Sequence, residues 1–174
     1  PQVSGIAIAT RPDSIPDDVL DLLSELNEKT FLWVELGLQT MHQDTMDAMN
    51  LCYTLEEYDD AVSRLLDKGI KVVTHLILGL PGEDRQMMLD SVRHVCSSPI
   101  FGLKLHMFNL VKGSQMELTH PDYVSFKTIE EYVDLLISAV ELVPPSVTLH
   151  RISGDAPRST LIAPEWSYMK RTIL

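Results

Sequence analysis

Apolar residues recur along this chain in two alternating rhythms. Runs of strand length fall at 5–9, 31–38, 72–78, 102–110 and 147–152, and helical spacing fills the gaps between the first four. Val19, Leu20, Leu22, Leu23 and Leu26 form the stripe of a first helix, entered through Ser14-x-x-Asp17 with Pro16 early in its first turn. Thr54-x-x-Glu57 is a capping box for a second helix, whose stripe is Ala61, Val62, Leu65 and Leu66 and whose stop is Gly69. A third helix is expected from Glu83 to Val95, after the Leu80-Pro81-Gly82 turn. Thr128-x-x-Glu131 caps a fourth, with Tyr132, Leu135, Leu136, Ala139 and Val140 on one stripe and Pro144-Pro145 as its stop. This order predicts right-handed βαβ units and a parallel sheet in one α/β domain over 1–174, its C-terminal extension running from about 144 to 174.

The strands carry a second signal. A parallel strand is normally apolar on both faces, because helices cover both. Here Glu35, Gly37 and Gln39 share one face while Val34, Leu36 and Leu38 share the other. His75, Ile77 and Gly79 alternate with Thr74, Leu76 and Leu78, and Lys104, His106 and Phe108 with Leu103, Leu105 and Met107. Thr148 and His150 alternate with Val147 and Leu149, and Arg11 continues the phase of Ala7 and Ala9. One face is thus expected to take the helices and the other to carry Arg11, Glu35, Gln39, His75, Lys104, His106 and His150. Buried under more helices without partners, such groups would each cost on the order of 2–7 kcal/mol. The inside of a curved barrel, with functional groups near the strand C-termini, accommodates them better. About half a barrel's strands are present, so either more strands lie upstream of Pro1 or the fold is a smaller open one.

Composition narrows this further. The chain has 174 residues, 45% hydrophobic and 22% charged, the mix of a folded globular domain. No apolar run approaches the roughly 20 residues of a membrane span. Lys and Arg number 14 against 25 Asp and Glu, a formal net charge of -11, which excludes a broad basic surface for phosphate backbones. Two cysteines, Cys52 and Cys96, are too few for a disulfide framework or a four-thiolate metal site, and the expectation is reduced thiols in a cytoplasmic protein. The chain starts at Pro1, without Met and almost directly in a strand, which suggests a piece of a longer protein.

Several constellations have competing readings. His75, His106 and His150 with Glu35 offer imidazole and carboxylate groups suited to zinc or iron, although strand spacing fixes no ligand geometry. Glu35 and Lys104 serve equally as an internal ion pair or as acid–base groups. Leu78-Gly79-Leu80-Pro81-Gly82-Glu83 allows close backbone approach by a ligand or simply tight packing. Arg151, Asp155 and Arg158, in a tail with an apolar anchor at Trp166, read as a loop across the barrel mouth that binds substrate or pairs internally. Three functional classes follow: a cofactor enzyme, a metal-dependent hydrolase using His75, His106 and His150, and a non-catalytic α/β interaction module.

Val34-Glu35-Leu36-Gly37-Leu38-Gln39-Thr40 followed by His75-Leu76-Ile77-Leu78-Gly79-Leu80-Pro81-Gly82-Glu83 resembles the radical SAM superfamily, in the branch of oxygen-independent coproporphyrinogen oxidase and the Elongator catalytic subunit. Ala9-Thr10-Arg11-Pro12-Asp13, His150-Arg151-Ile152-Ser153-Gly154-Asp155-Ala156-Pro157 and Ala163-Pro164-Glu165-Trp166 narrow the resemblance to its YhcC-type members.

The resemblance implies the C-terminal part of a partial (β/α)6 TIM-like barrel, from its third strand onward. It implies S-adenosylmethionine and a [4Fe-4S] cluster as cofactors, the cluster's Cys-x-x-x-Cys-x-x-Cys loop lying upstream and absent here. Glu35, Gln39, His75, Ile77, Gly79, His106 and Phe108 would then border the cofactor's nucleoside end, with Arg11, Lys104, His150, Arg151, Asp155 and Arg158 toward the substrate. His75 stands in place of the first glycine of the family's Gly-x-Ile-x-Gly-x-x-Glu pattern, and Glu83 comes one residue late. The implied reaction is reductive cleavage of S-adenosylmethionine and hydrogen abstraction from a substrate, with tRNA among the substrate classes of relatives. Implied partners are that substrate and an electron donor such as flavodoxin or ferredoxin, with no membrane. Nucleic acid would be engaged only through an upstream part or as a tRNA substrate. The isolated chain, with its first strand edge unpaired, is expected to be inactive and to self-associate.

Overall fold

The computed structural model describes residues 3–154 and 156–169. In chain order its strands are β1 (Gly5–Thr10), β2 (Phe31–Gln39), β3 (Lys71–Leu78), β4 (Gly102–Met107), β5 (Leu110–Val111), β6 (Thr148–Arg151) and β7 (Leu161–Ala163). The helices are α1 (Asp17–Lys29), α2 (Gln43–Ala48), α3 (Leu55–Asp67), α4 (Arg85–Cys96), α5 (Gln115–Thr119) and α6 (Ile129–Glu141). Five strands form one sheet in the order β1-β2-β3-β4-β6, and every neighbouring pair is parallel. The short β5 and β7 pair antiparallel beside it. This is the α/β architecture expected of the later strands of a partial barrel. Among the described residues no helix is long and apolar enough to cross a membrane.

The two faces separate in the phase that the sequence predicts. Leu32, Val34, Leu36 and Leu38 of β2, Val72, Leu76 and Leu78 of β3, and Leu103 and Leu105 of β4 are all buried. They pack against Leu20 and Leu23 of α1, Tyr58, Val62 and Leu65 of α3, Val92 of α4, and Tyr132 and Leu135 of α6. Burial of these side chains is the main stabilising term, each contributing about 1.5–3 kcal/mol. The polar groups within that layer are paired: Thr74 meets the Tyr58 hydroxyl at 2.7 Å. Glu35, Gln39, His75, Lys104 and His106 lie on the other face, all incompletely buried. A one-residue slip of face would invert this arrangement, and the alternation of buried and half-buried side chains is kept along β2 and β4 and from Thr74 to Leu78 of β3.

Three element boundaries differ from the sequence reading. The first helix starts at Asp17 with Pro16 as N-cap, not at Ser14, which closes a 3-10 turn over Pro12–Ser14. Ile15, preceding a proline, is kept out of helical geometry at φ -122° and ψ 66°. The third helix starts at Arg85, because Asp84 caps it by accepting the Met87 N–H at 2.9 Å while the Glu83 side chain turns to Thr40. The run 102–110 is broken after Met107: the Asn109 amide donates to the Met107 carbonyl at 3.1 Å, and Leu110 leaves to pair with β7.

Gly79 ends β3 with φ +82°, a backbone that L residues rarely adopt. A Cβ there would stand 2.7 Å from Phe126 Cε2 and 2.8 Å from Ser125 Cβ. Its missing side chain therefore admits the chain's own loop, and Tyr123 anchors that loop by donating to the Gly79 carbonyl at 2.9 Å. Gly79→Ala is expected to lower stability by about 2 kcal/mol, from backbone strain plus overlap. Urea denaturation checks it, and a loss under about 0.5 kcal/mol would contradict this packing.

Candidate functional site

Glu35 is the hub of the open face. β2 places it beside Val73 of β3, and β3 in turn places His75 beside Lys104 of β4. The Lys104 ammonium donates to Glu35 Oε2 at 2.6 Å, His75 Nε2 lies 2.9 Å from the same oxygen, and the Trp33 indole donates to Oε1 at 3.0 Å. The side chains of Glu35, Lys104 and His75 are only 12%, 19% and 21% exposed, so the charges interact with little screening. Burial pushes the Glu35 carboxyl up, but the hydrogen bonds from Lys104 and Trp33 outweigh it and hold the pKa down to about 2. Glu35 is therefore a carboxylate throughout the neutral range.

The histidines go the other way. Burial and the Lys104 charge lower His75, while Glu35 partly opposes them. His106, its ring centroid 5.2 Å from that of His75, falls to about 4 through burial, then His75, Arg151 and Lys104. Its Nε2 is buried without a hydrogen-bond partner among the described residues. The arrangement therefore holds two neutral imidazoles beside a fixed ion pair.

Aromatic rings close the N-terminal end of this face. His150 lies over Gly102, where a Cβ would stand 2.5 Å from its Nε2, and stacks edgewise on Trp33 and Phe101 at 6.2 and 5.6 Å. The register of β4 and β6 shifts at Leu103/Lys104, so His150 is the extra residue and Arg151 stands opposite Lys104. Lys71 caps the floor, with its ammonium 5.0 Å from the Phe101 ring.

At the C-terminal ends of the strands a pocket of about 330 Å³ opens, lined by Gln39, His75, Ile77, His106, Met107, Phe108, Asn109 and Gly154. Gln39 reaches it with φ 68°, a strained backbone for a residue with a side chain, at a register shift in β2. Its amide folds back over Gly37, where a Cβ would meet Gln39 Nε2 at 2.5 Å. Asn109 Oδ1 is buried without a partner among the described residues. Gly154 brings the tail onto β4, and a Cβ there would stand 2.7 Å from the Met107 carbonyl oxygen. The tail thus crosses the sheet end as its composition suggests. Gly154→Val is expected to displace it and lower stability by about 2 kcal/mol, read by urea denaturation. A loss under about 0.5 kcal/mol would separate the tail from this strand end.

The remaining sequence candidates are placed as follows. Glu35 and Lys104 lie below the pocket rather than in its wall. Gly79 lies under Phe126. Arg11 pairs with Asp13 at 2.7 Å and rests over the Tyr53 ring, in the turn after β1. Arg158 stacks on Tyr168 at 4.5 Å. Asp155 lies outside the described residues. His75, His106 and His150 do not converge: among the described residues no three His, Cys, Asp or Glu side chains have metal-holding geometry. His150 is held by the aromatic floor and His75 by Glu35, which removes the ligand set of the hydrolase reading. Cys52 is exposed and Cys96 is half-buried at the end of α4, and neither joins a metal-holding group among the described residues.

Sequence reading missed Asn109, whose signal was its position one step past the polar-phase Phe108 at a strand end. It also missed the bond from the Thr40 hydroxyl to the Glu83 carboxylate, which ties the loop after β2 to the loop after β3. Burial raises the Glu83 pKa against the pull of that hydroxyl.

With this geometry in hand, comparison with known proteins is specific. Residues 2–95 match the radical SAM superfamily, and residues 100–174 match the radical SAM C-terminal domain. The chain is 43% identical over 173 residues to the uncharacterized protein YtqA of Bacillus subtilis, covering 99% of this chain and 54% of that protein. It is 37% identical over 166 residues to protein YhcC of Escherichia coli K12, covering 94% and 54%, and 30% identical to Elongator complex protein 3 of Schizosaccharomyces pombe, covering 88% and 28%. The chain spans about half the length of the first two of these relatives. The solved structure of Methanocaldococcus infernus Elp3 with an N-terminal deletion superposes with a TM-score of 0.81 at 21% identity, covering 97% of this chain and 42% of that one, which establishes the shared fold. Since one superfamily accounts for more than half the chain and its C-terminal domain for the rest, the chain belongs to the radical SAM superfamily.

Proposed function

We propose that this chain is the nucleoside-holding and substrate-facing part of a radical S-adenosylmethionine enzyme. The observation that carries the reading is the pocket at the strand ends. Ile77 and Phe108 offer apolar surface to a flat ring, while Asn109 Oδ1 lacks a donor among the described residues. A buried polar atom without a partner costs about 1–3 kcal/mol, and a ligand that supplies one recovers it. Adenosine fits that need, with amine and hydroxyl donors, ring-nitrogen acceptors and a planar apolar face. The residues present fit the nucleoside; they do not fit the cluster, because the two cysteines, Cys52 and Cys96, do not make a Cys-x-x-x-Cys-x-x-Cys loop.

S-adenosylmethionine held here, with a reduced [4Fe-4S] cluster, would supply radical chemistry for hydrogen abstraction from a substrate. The cluster's thiolates would come from a part of the full-length protein outside this chain, and its electrons from a donor such as flavodoxin or ferredoxin. The work of this chain's residues is to bind and exclude. Gln39 and Asn109 orient the nucleoside, Ile77 and Phe108 keep water from it, and the aromatic floor closes the opposite end. The Glu35–Lys104 pair holds His75 in a fixed orientation on the face where substrate would lie.

Two measurements test this. Asn109→Leu should weaken S-adenosylmethionine binding to the full-length protein roughly tenfold, through the lost acceptor. Equal affinity would remove the nucleoside from this pocket. The isolated chain should bind S-adenosylmethionine far more weakly than the cluster-loaded full-length protein, because the association entropy is charged in full against half a site. Tight binding by the isolated chain, iron-free, would overturn the division of the site.

A further inference from the structure

We infer that the open face below the nucleoside pocket is an oxyanion subsite, in which Arg151 and His106, backed by Lys104, receive a carboxylate or phosphate group of the substrate. The charge distribution is the first support. The chain carries a net charge of -11, yet this face presents Lys71, Lys104 and Arg151 against one acid among the described residues, Glu35. A cationic face in an acidic protein concentrates anions locally.

The bonding pattern is the second. Glu35 does not neutralise the face, because its oxygens are already taken: Lys104 and His75 share Oε2, and Trp33 holds Oε1. The face therefore has one internal anion, fully engaged, and cationic charge in excess of it. Arg151 stands opposite Lys104 across the β4–β6 register, and its charge reaches both His75 and His106. The guanidinium fork matches two oxygens of a carboxylate or phosphate, where an ammonium offers only a point charge.

The third support is His106. Its Nε2 is buried with no partner among the described residues, on the strand next to Arg151 and two residues along β4 from Lys104. An oxyanion seated there accepts from His106 and from Arg151 together, satisfying the orphan nitrogen with the charge that the face lacks. Assigning this anion to the substrate rests on the pocket above it holding the cofactor's nucleoside; the anion subsite itself does not.

The test uses the full-length protein with inorganic phosphate and with acetate as probes, followed by NMR of the histidine side chains. The better-fitting probe should raise the His106 pKa by about one pH unit or more, since an adjacent anion favours the imidazolium. Arg151→Gln should weaken that probe roughly tenfold, with Arg151→Lys recovering part of the loss and Arg93→Gln, on the outer surface of α4, none of it. Phosphate stronger than acetate identifies a phosphoryl substrate group, and the reverse a carboxylate; either supports the subsite. No histidine shift with either probe, or equal binding by the Arg151→Gln and Arg93→Gln proteins, overturns it. Thermal melting of each variant separates lost binding from lost folding. Nucleoside binding without anion binding defeats this inference alone, whereas anion binding without nucleoside binding defeats the cofactor reading and leaves the subsite standing.

Discussion

Lys104→Met is expected to lower the unfolding free energy by about 3 kcal/mol near pH 8. The size follows from what is left behind. Lys104 holds Glu35 at 2.6 Å with both side chains mostly buried, so its removal strands a carboxylate in a site of low dielectric. Trp33 and His75 remain, but a neutral imidazole replaces none of the lost charge. The deficit should shrink as the pH falls toward 6. Without the Lys104 repulsion and with Glu35 still in contact, the His75 pKa rises, and a group whose folded pKa rises stabilises the fold below it and loses that effect above it. Glu35→Leu combined with Lys104→Met should recover most of the loss, because burying neither charge is often as stable as burying both. Urea denaturation of the single and double variants across pH measures this. A single variant within about 0.5 kcal/mol of the parent would mean that the pair is solvated and not the anchor of this face.

The phase of the strands was legible in the sequence for a physical reason. Side chains alternate across a strand without exception unless a bulge intervenes, so Glu35, His75, Lys104 and His106 had to share a face once Val34, Leu36, Leu76 and Leu105 were assigned to the core. The Glu35–Lys104 pair was legible as one of two outcomes. What alternation could not reveal was register. Bulges at Gly37/Gln39 and at His150 change which groups meet, and they arise from interactions distant in sequence: Tyr53 bonds the Gly37 carbonyl at 2.6 Å, and His150 seats on Phe101 and Trp33. The helix N-termini show the same limit. Thr54 and Glu57 form their reciprocal box as read, because both partners are local. Glu83 did not join the third helix, because a buried threonine on another loop competes for it. The short α2 and α5, and the β5–β7 pairing, carry too few residues to show a period at all.

Stability should fall by on the order of 3 kcal/mol between about pH 6.5 and pH 4, through the buried histidines. His75, His106 and His150 all have lowered pKa values, each first through burial, then through His75, Arg151 and Lys104 at His106 and through Lys104 at the other two. The unfolded chain binds their protons from about pH 6.5 downward. The folded chain resists until, for His106, about pH 4. Within that window the unfolded state holds more protons, so stability drops as the pH drops. Glu35 acts in a lower window: its pKa of about 2 gives stability that is present above the ordinary carboxylate range and lost only as the pH falls through that value. The two windows separate the groups. His106→Phe, which keeps a ring in the site and removes the proton acceptor, should remove most of the upper slope and leave the lower one in place. Urea denaturation at successive pH values reads both slopes. An unchanged upper slope in His106→Phe would show that the buried imidazole is not what makes this face sensitive to acid, and would take with it the picture of a cationic face that keeps its histidines neutral until an anion arrives.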